Sequence, residues 1–187
     1  MLVFRFDADL AATSAEAFIA ELLAERIGAA GVITGEDFTF GYRRGGDAAL
    51  LAELGPEHGI VAETVGAVLL DGERVSSGRI REALVAGRPE AATRMLTRPF
   101  AIAGTVEHGD KRGRELGWPT ANVALGDYQR PAYGIYAVRC RLADGRALNG
   151  VASLGVRPMF TPPRELLEVH LFDFAGDLYG QAIETDL

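Results

Sequence analysis

Apolar residues recur along this chain with two different periods, and the changeover falls near residue 98. Upstream, short apolar runs alternate with helical periodicity. Leu2 to Phe6 reads as a strand. Thr13 and Glu16 form a capping-box pair, and Phe18, Ile19, Leu22, Leu23 and Ile27 then make one apolar helix face. Val32 to Thr34 is a second short strand ending at Gly35. Asp47 is placed to cap a helix carrying Leu50, Leu51 and Leu54, and another strand follows around Ile60 to Val65. Ser76 or Ser77 caps a helix with Ile80 and Leu84, and a last helix runs from about Pro89 to Leu96. Alternating β and α elements predict a parallel sheet with helices on its faces.

Beyond residue 98 the helical period stops. Phe100 to Val106, Tyr133 to Leu142, Ala147 to Val151, Leu166 to Phe172 and Leu178 to Ile183 are strand candidates, with turns at Asp144-Gly145 and Gly176-Asp177. Short strands at this spacing predict a small antiparallel barrel. The boundary is read at Arg98-Pro99, giving two parts, 1–97 and 98–187. Both ends look cut. The first part opens without an earlier strand and its ligand loop, and residues 182–187 still alternate where the sequence stops. The chain is therefore read as a piece of something longer.

Composition narrows the function. The 187 residues are 48% hydrophobic and 24% charged, which suits a folded core. A net charge of −7 and a pI near 5.0 argue against general nucleic-acid binding. No apolar run is long enough for a bilayer and no signal-peptide pattern opens the chain, so a soluble cytoplasmic protein without membrane association is expected. Cys140, the single cysteine, cannot form an intrachain disulfide and reads as an inert strand residue.

The densest chemical signal lies at residues 104–122. Gly104, Gly109, Gly113 and Gly117 punctuate it, with His108, Lys111, Arg112 and Arg114 among them. Glycine lets successive amides face an anion, and the cations add charge on the same loop. Pro119-Thr-Ala-Asn122 closes the segment; on a strand, Thr120 and Asn122 point to one face. That combination suits a polyphosphate with a metal-facing hydroxyl. Spacing alone leaves a glycine-rich surface hairpin equally open. The segment is neither a P-loop nor a dinucleotide fingerprint.

In Leu166-Leu-Glu-Val-His-Leu-Phe-Asp173, a period of two puts Glu168 and His170 on one face and Leu167, Val169 and Leu171 on the other. A carboxylate there can serve as general base for a hydroxyl, or simply point to solvent. Ser76, Ser77, Arg79 and Arg81 sit at a helix start, where phosphate is attracted and where ordinary capping is the competing reading. The three histidines show no metal-ligand spacing.

Together these residues resemble the bacterial bifunctional riboflavin kinase/FAD synthetase family over nearly the whole chain. The matching stretches are Gly35-Glu-Asp-Phe-Thr-Phe-Gly41 with Gly46-Asp47, Ser76-Ser-Gly-Arg-Ile-Arg81, His108-Gly-Asp-Lys-Arg-Gly-Arg114, Gly117-Trp-Pro-Thr-Ala-Asn122, Leu154-Gly-Val-Arg-Pro158 and Glu168-Val-His-Leu-Phe-Asp173. The resemblance implies an α/β plus all-β chain: a partial Rossmann-like nucleotidyltransferase domain, then a Greek-key riboflavin kinase barrel. It implies ATP and riboflavin as substrates, FMN as product and Mg2+ as cofactor. Thr120 would hold the metal. Gly104, His108, Gly109, Lys111, Arg112, Gly113, Arg114, Gly117, Thr120 and Asn122 would surround ATP, and Glu168 would be the base for the ribityl 5′-hydroxyl. Ser76, Ser77, Arg79 and Arg81 would be what remains of the adenylyltransferase site.

Two departures weigh against FAD synthesis by this chain. It lacks the family's Gly-Phe-Asp-Gly-x-His-x-Gly-His loop, and Gly78 stands where the family usually has threonine. The family's further strand and terminal helix beside the flavin pocket are also missing. A catalytically defective flavin- or nucleotide-binding fragment is thus the alternative reading. Oligomeric state is not legible.

Overall fold

A computed structural model describes residues 1–109, 118–157 and 163–187, and these fall into two compact units, Met1–Arg74 and Val75–Leu187.

In the first unit, Asp7 caps helix α1 (Ala8–Ala12) by accepting from the Leu10 amide at 3.0 Å. Residues 2–6 are exposed and form no strand, contrary to the alternation there. A strand needs a ladder partner, and none of the described residues pairs with this segment. The next cap is also shifted by one residue. Ser14 Oγ accepts from the Ala17 amide at 3.1 Å, while Thr13 Oγ1 donates back to the Asp9 carbonyl at 3.0 Å. Helix α2 (Ala15–Ala17) then widens into a π-helix over Phe18–Ile27, ended by Gly28 in the left-handed region. The wider winding brings Phe18, Ile19, Leu23 and Ala24 to the core.

Strand β1 (Gly31–Gly35) pairs in parallel with β4 (Val61–Val65). Between them lie the short pair β2 (Thr39–Phe40) and β3 (Gly46–Asp47), and helix α3 (Ala48–Leu54), capped by Asp47 at 2.9 Å from the Leu50 amide. Ala15, Ile19, Phe40, Leu51 and Ile60 are the buried centre. A small hairpin, β5 (Leu69–Leu70) with β6 (Glu73–Arg74), closes the unit.

The second unit opens with helices α4 (Ser77–Val85) and α5 (Pro89–Leu96). They bury Ala83, Leu84 and Ala92 against Phe100, and the Ala132 amide donates to the Leu84 carbonyl at 2.9 Å. By packing, this helix pair therefore goes with the barrel, although the hydrophobic period changes only near residue 98.

The barrel has six antiparallel strands among the described residues: β7 (Ala101–Glu107), β8 (Ala121–Ala124), β9 (Gly134–Leu142), β10 (Ala147–Arg157), β11 (Arg164–Leu171) and β12 (Ala182–Asp186). They close in the order β10-β11-β8-β7-β12-β9. The β8–β9 and β11–β12 connections each pass over two intervening strands, which is Greek-key topology. Three differences from the sequence pattern stand out. Strand β10 runs on to Arg157, beyond the expected end at Val151, because it pairs with β11 over residues 150–157. Strand β8 is too short to show alternation, and the final strand begins at Ala182 because Asp177 and Gln181 hold residues 177–181 in a turn.

Alternate residues fill the interior. Ile102, Val106, Val123, Cys140, Leu154, Leu167 and Val169 are almost completely buried. Each large aliphatic side chain so placed contributes roughly 1.5–3 kcal/mol. No helix among the described residues is long and apolar enough to cross a membrane.

Candidate functional site

One polar row crosses the outside of the barrel. Register pairs Glu107 with Asn122, Asn122 with Glu168, and Glu168 with Ser153, on β7, β8, β11 and β10 in turn. Neighbouring residues in these strands point inward, so the row faces away from the core. Val123 sits opposite Leu167 inside the barrel, and Ala121 opposite Val169. Period two on β11 thus does what its sequence predicts: Leu167, Val169 and Leu171 are buried while Glu168 and His170 are half-buried on the other face.

Asn122 is the most sheltered member of the row, with 7% of its surface exposed. The reason is local. Gly109 passes so close that a Cβ there would lie 2.1 Å from Asn122 Nδ2, so any side chain at 109 must push this amide aside or lift the backbone. The segment before the glycine is held by His108, whose ring stacks on Tyr179 with centroids 3.9 Å apart. Thr120 lies two residues before Asn122, half-buried, just ahead of β8. Pro119 beside it accepts at its carbonyl a 2.9 Å contact from the His170 ring, which also meets Trp118 edge-on.

Charge on the row is balanced at two points. Arg164 Nη2 donates to Glu107 Oε2 at 2.7 Å. Arg157 Nη2 donates to Glu168 Oε2 at 2.9 Å and to Ser153 Oγ at 3.0 Å. Arg157 belongs to the Leu154-Gly-Val-Arg-Pro158 stretch, and its place beside Glu168 is not legible from residue order. The signal available was an arginine closing a long apolar strand, which says nothing of where it folds.

The structure therefore brings Glu168, Asn122 and Gly109 together, with His108 and Thr120 on the adjoining segments. Gly104 has a different setting. It lies within β7, where a Cβ would come 2.6 Å from Val123 Cγ1, so packing alone accounts for it. Lys111, Arg112, Gly113, Arg114 and Gly117 lie outside the described residues.

Ser76, Ser77, Arg79 and Arg81 gather at the start of α4. Ser76 Oγ accepts from the Arg79 amide at 3.3 Å, and Arg81 Nη2 donates to Ser77 Oγ at 3.4 Å. Ser77 and Arg81 line a cavity of about 530 Å³ together with Phe100, Tyr128 and Arg130. Cys140 is fully buried and receives the Thr185 hydroxyl at 3.8 Å; burial pushes its thiol up. An inert strand residue is what that environment makes.

No group of three His, Cys, Asp or Glu side chains among the described residues is arranged to hold a metal. The site's own donors are hard oxygens: the Thr120 hydroxyl, the Asn122 amide and the Glu168 carboxylate. That set fits magnesium, which takes few protein ligands and completes its shell with phosphate and water.

Comparison with known proteins bears on both units. A riboflavin kinase family model matches residues 96–187, and an FAD synthetase model matches residues 1–79. The bifunctional riboflavin kinase/FMN adenylyltransferase of Haemophilus influenzae is 40% identical over 186 residues, and that of Escherichia coli K12 is 41% identical over 187. Each alignment covers 100% of this chain and 60% of the relative. The Pseudomonas fluorescens protein of the same name is 43% identical over 98% of the chain and 59% of its own length. A crystal structure described as a macrolide-efflux protein from Streptococcus pneumoniae superposes with a TM-score of 0.82 at 31% identity, covering 97% of this chain and 58% of that one. The chain belongs to the bifunctional riboflavin kinase/FMN adenylyltransferase family, as a six-stranded kinase-type barrel joined to an α/β nucleotidyltransferase-like part.

Proposed function

We infer that this chain phosphorylates riboflavin, transferring the γ-phosphoryl group of ATP to the ribityl 5′-hydroxyl to give FMN and ADP. The observation that carries this reading is the pairing of Glu168 with Asn122 on one outer face, directly under the crossing at Gly109. A carboxylate there can accept the hydroxyl proton. The buried amide beside it offers an oxygen and N–H donors to phosphate or metal. Thr120 and Asn122 would hold magnesium, which supplies neutralisation of phosphate charge. The kinase part is read as residues 98–187 and the adenylyltransferase part as residues 1–97. Lys111, Arg112, Gly113, Arg114 and Gly117 complete the proposed nucleotide loop, with His108 on its approach. An ATP-dependent enzyme with one unpaired cysteine suits the cytoplasm.

Catalysis on this reading is largely positioning. The ribityl oxygen attacks the γ-phosphorus in line with the departing ADP oxygen, and its proton passes to Glu168. Little covalent chemistry is asked of the protein beyond holding these atoms in register.

The test is incubation of the full chain with riboflavin, ATP and magnesium, followed by chromatographic separation of flavins. FMN is the expected product. Further conversion of FMN to FAD would assign adenylyl transfer to the helix-start residues Ser76, Ser77, Arg79 and Arg81. Ligand binding with no product would support the second reading, a non-catalytic flavin- or nucleotide-binding protein.

A further inference from the structure

Arg157 stands at the end of β10, four residues beyond Ser153 and on the same outer face. An extended arginine there would reach past the strand's end. Instead its side chain folds back along its own strand: Nη2 lies 3.0 Å from Ser153 Oγ, 3.4 Å from the Ser153 carbonyl and 2.9 Å from Glu168 Oε2. The residue between them on that face is Gly155. A Cβ on Gly155 would sit 3.2 Å from Arg157 Nη1, closer than a side chain and a guanidinium normally approach. The Leu154-Gly-Val-Arg-Pro158 stretch thus contains its own clearance. Glycine at 155 opens the groove through which Arg157 reaches the carboxylate.

The consequence for Glu168 is geometric. A glutamate has three side-chain torsions, and on an open strand face it samples several rotamers. Here one oxygen, Oε2, is fixed by a guanidinium that is itself anchored to Ser153. The other, Oε1, accepts no hydrogen bond among the described residues. The side chains of Arg157 and Glu168 are 19% and 29% exposed, sheltered enough to hold a geometry and open enough to meet a substrate.

We propose that Arg157, seated over Gly155 and anchored to Ser153, is a positioning residue that holds the Glu168 carboxylate by Oε2 so that Oε1 takes the substrate hydroxyl proton. This rests on the riboflavin kinase reading above. In the step it serves, the hydroxyl O–H bond breaks and its proton goes to Oε1. The new O–P bond forms on the γ-phosphorus, and the bond to the ADP oxygen breaks with its electrons staying on ADP. Arg157 keeps its charge and proton throughout. Nη2 carries two hydrogens fixed in the guanidinium plane, so one serves Ser153 while the other serves Glu168, a geometry that a freely rotating lysine ammonium does not fix.

Steady-state turnover of riboflavin, ATP and magnesium by the full chain and three variants decides the matter. Arg157→Ala is expected to lower kcat by about 10²-fold, the usual effect of misplacing a reacting group by about 1 Å, with KM for both substrates little changed. Methylguanidinium, at concentrations that leave the fold intact, should restore part of the lost turnover. Arg157→Lys should retain more turnover than Arg157→Ala. Gly155→Ala keeps the arginine but crowds its path, and should lower kcat in the same direction by less. If Arg157→Ala turns over like the parent, or loses only KM, the proposal is overturned while the kinase reading stands. A loss that methylguanidinium cannot restore, with Gly155→Ala unimpaired, would make the ion pair structural and also overturn it. A parent chain that forms no FMN removes both.

Discussion

As the proposed base, Glu168 carries two requirements that pull against each other. It must be sheltered enough to be held and accessible enough to reach a hydroxyl, and its position between Asn122 and Ser153 meets both. Replacing it with glutamine keeps size and hydrogen bonding but removes the proton acceptor. Glu168→Gln is expected to lower FMN formation by about 10²–10⁴-fold, the usual contribution of a general base, with ATP binding retained. Product assays alongside calorimetric nucleotide titration check this; equal turnover in mutant and parent would dismiss Glu168 as the base. Gly109 is the second residue whose identity is dictated by contact. A methyl group at that position must displace the Asn122 amide or lift the backbone above it. Gly109→Ala should therefore raise the magnesium–ATP concentration needed for half-maximal turnover, and an unchanged requirement would place the nucleotide elsewhere.

Strand β11 places core packing on one face and the proposed chemistry on the other. Leu167 is completely buried, in the same interior cluster as Leu154 and Val169, while Glu168 belongs to the half-open polar row. Leu167→Ala should cost about 2–5 kcal/mol, because the emptied volume is only partly refilled. Glu168→Gln should cost less than about 1 kcal/mol, since the ion pair it breaks is partly solvated. Denaturant titrations of the two variants test this separation directly. Comparable losses would mean that the outer row also holds the barrel together.

Across the whole molecule, three groups among the described residues respond to alkali: the Tyr133 phenol, raised mainly by its hydrogen bond to Glu165, and two for which burial is the leading cause. Burial pushes the Cys140 thiol and the Tyr136 phenol up from their ordinary ranges. Each is then more protonated in the folded than in the unfolded chain at high pH. Their contributions are complete below the unfolded values and are lost as pH rises through the folded ones. Stability should accordingly fall above roughly pH 9, where the unfolded thiol begins to lose its proton, and further where the unfolded phenols do. Cys140→Ala should flatten the first part of that decline, whatever it does to stability at neutral pH. Unfolding curves from neutral to alkaline pH would show it, and an identical decline in the variant would locate the effect in other groups.

Much of this could be read from residue order, because the information was local. Helix α5 spans Pro89–Leu96 as expected, Asp47 and Ser76 cap their helices, and the alternation in residues 166–171 gave both faces of β11. Glycine spacing and the period of two, likewise local, marked Gly109, Asn122 and Glu168 as candidates, and the family resemblance gave them their expected roles. Contacts over distance were not available that way. Whether residues 2–6 pair, and where α4 and α5 pack, depends on surfaces contributed by remote segments. Arg157 is the clearest case. Its chain position places it at a strand end, but only the closed barrel, by setting β10 beside β11, turns it back onto Glu168.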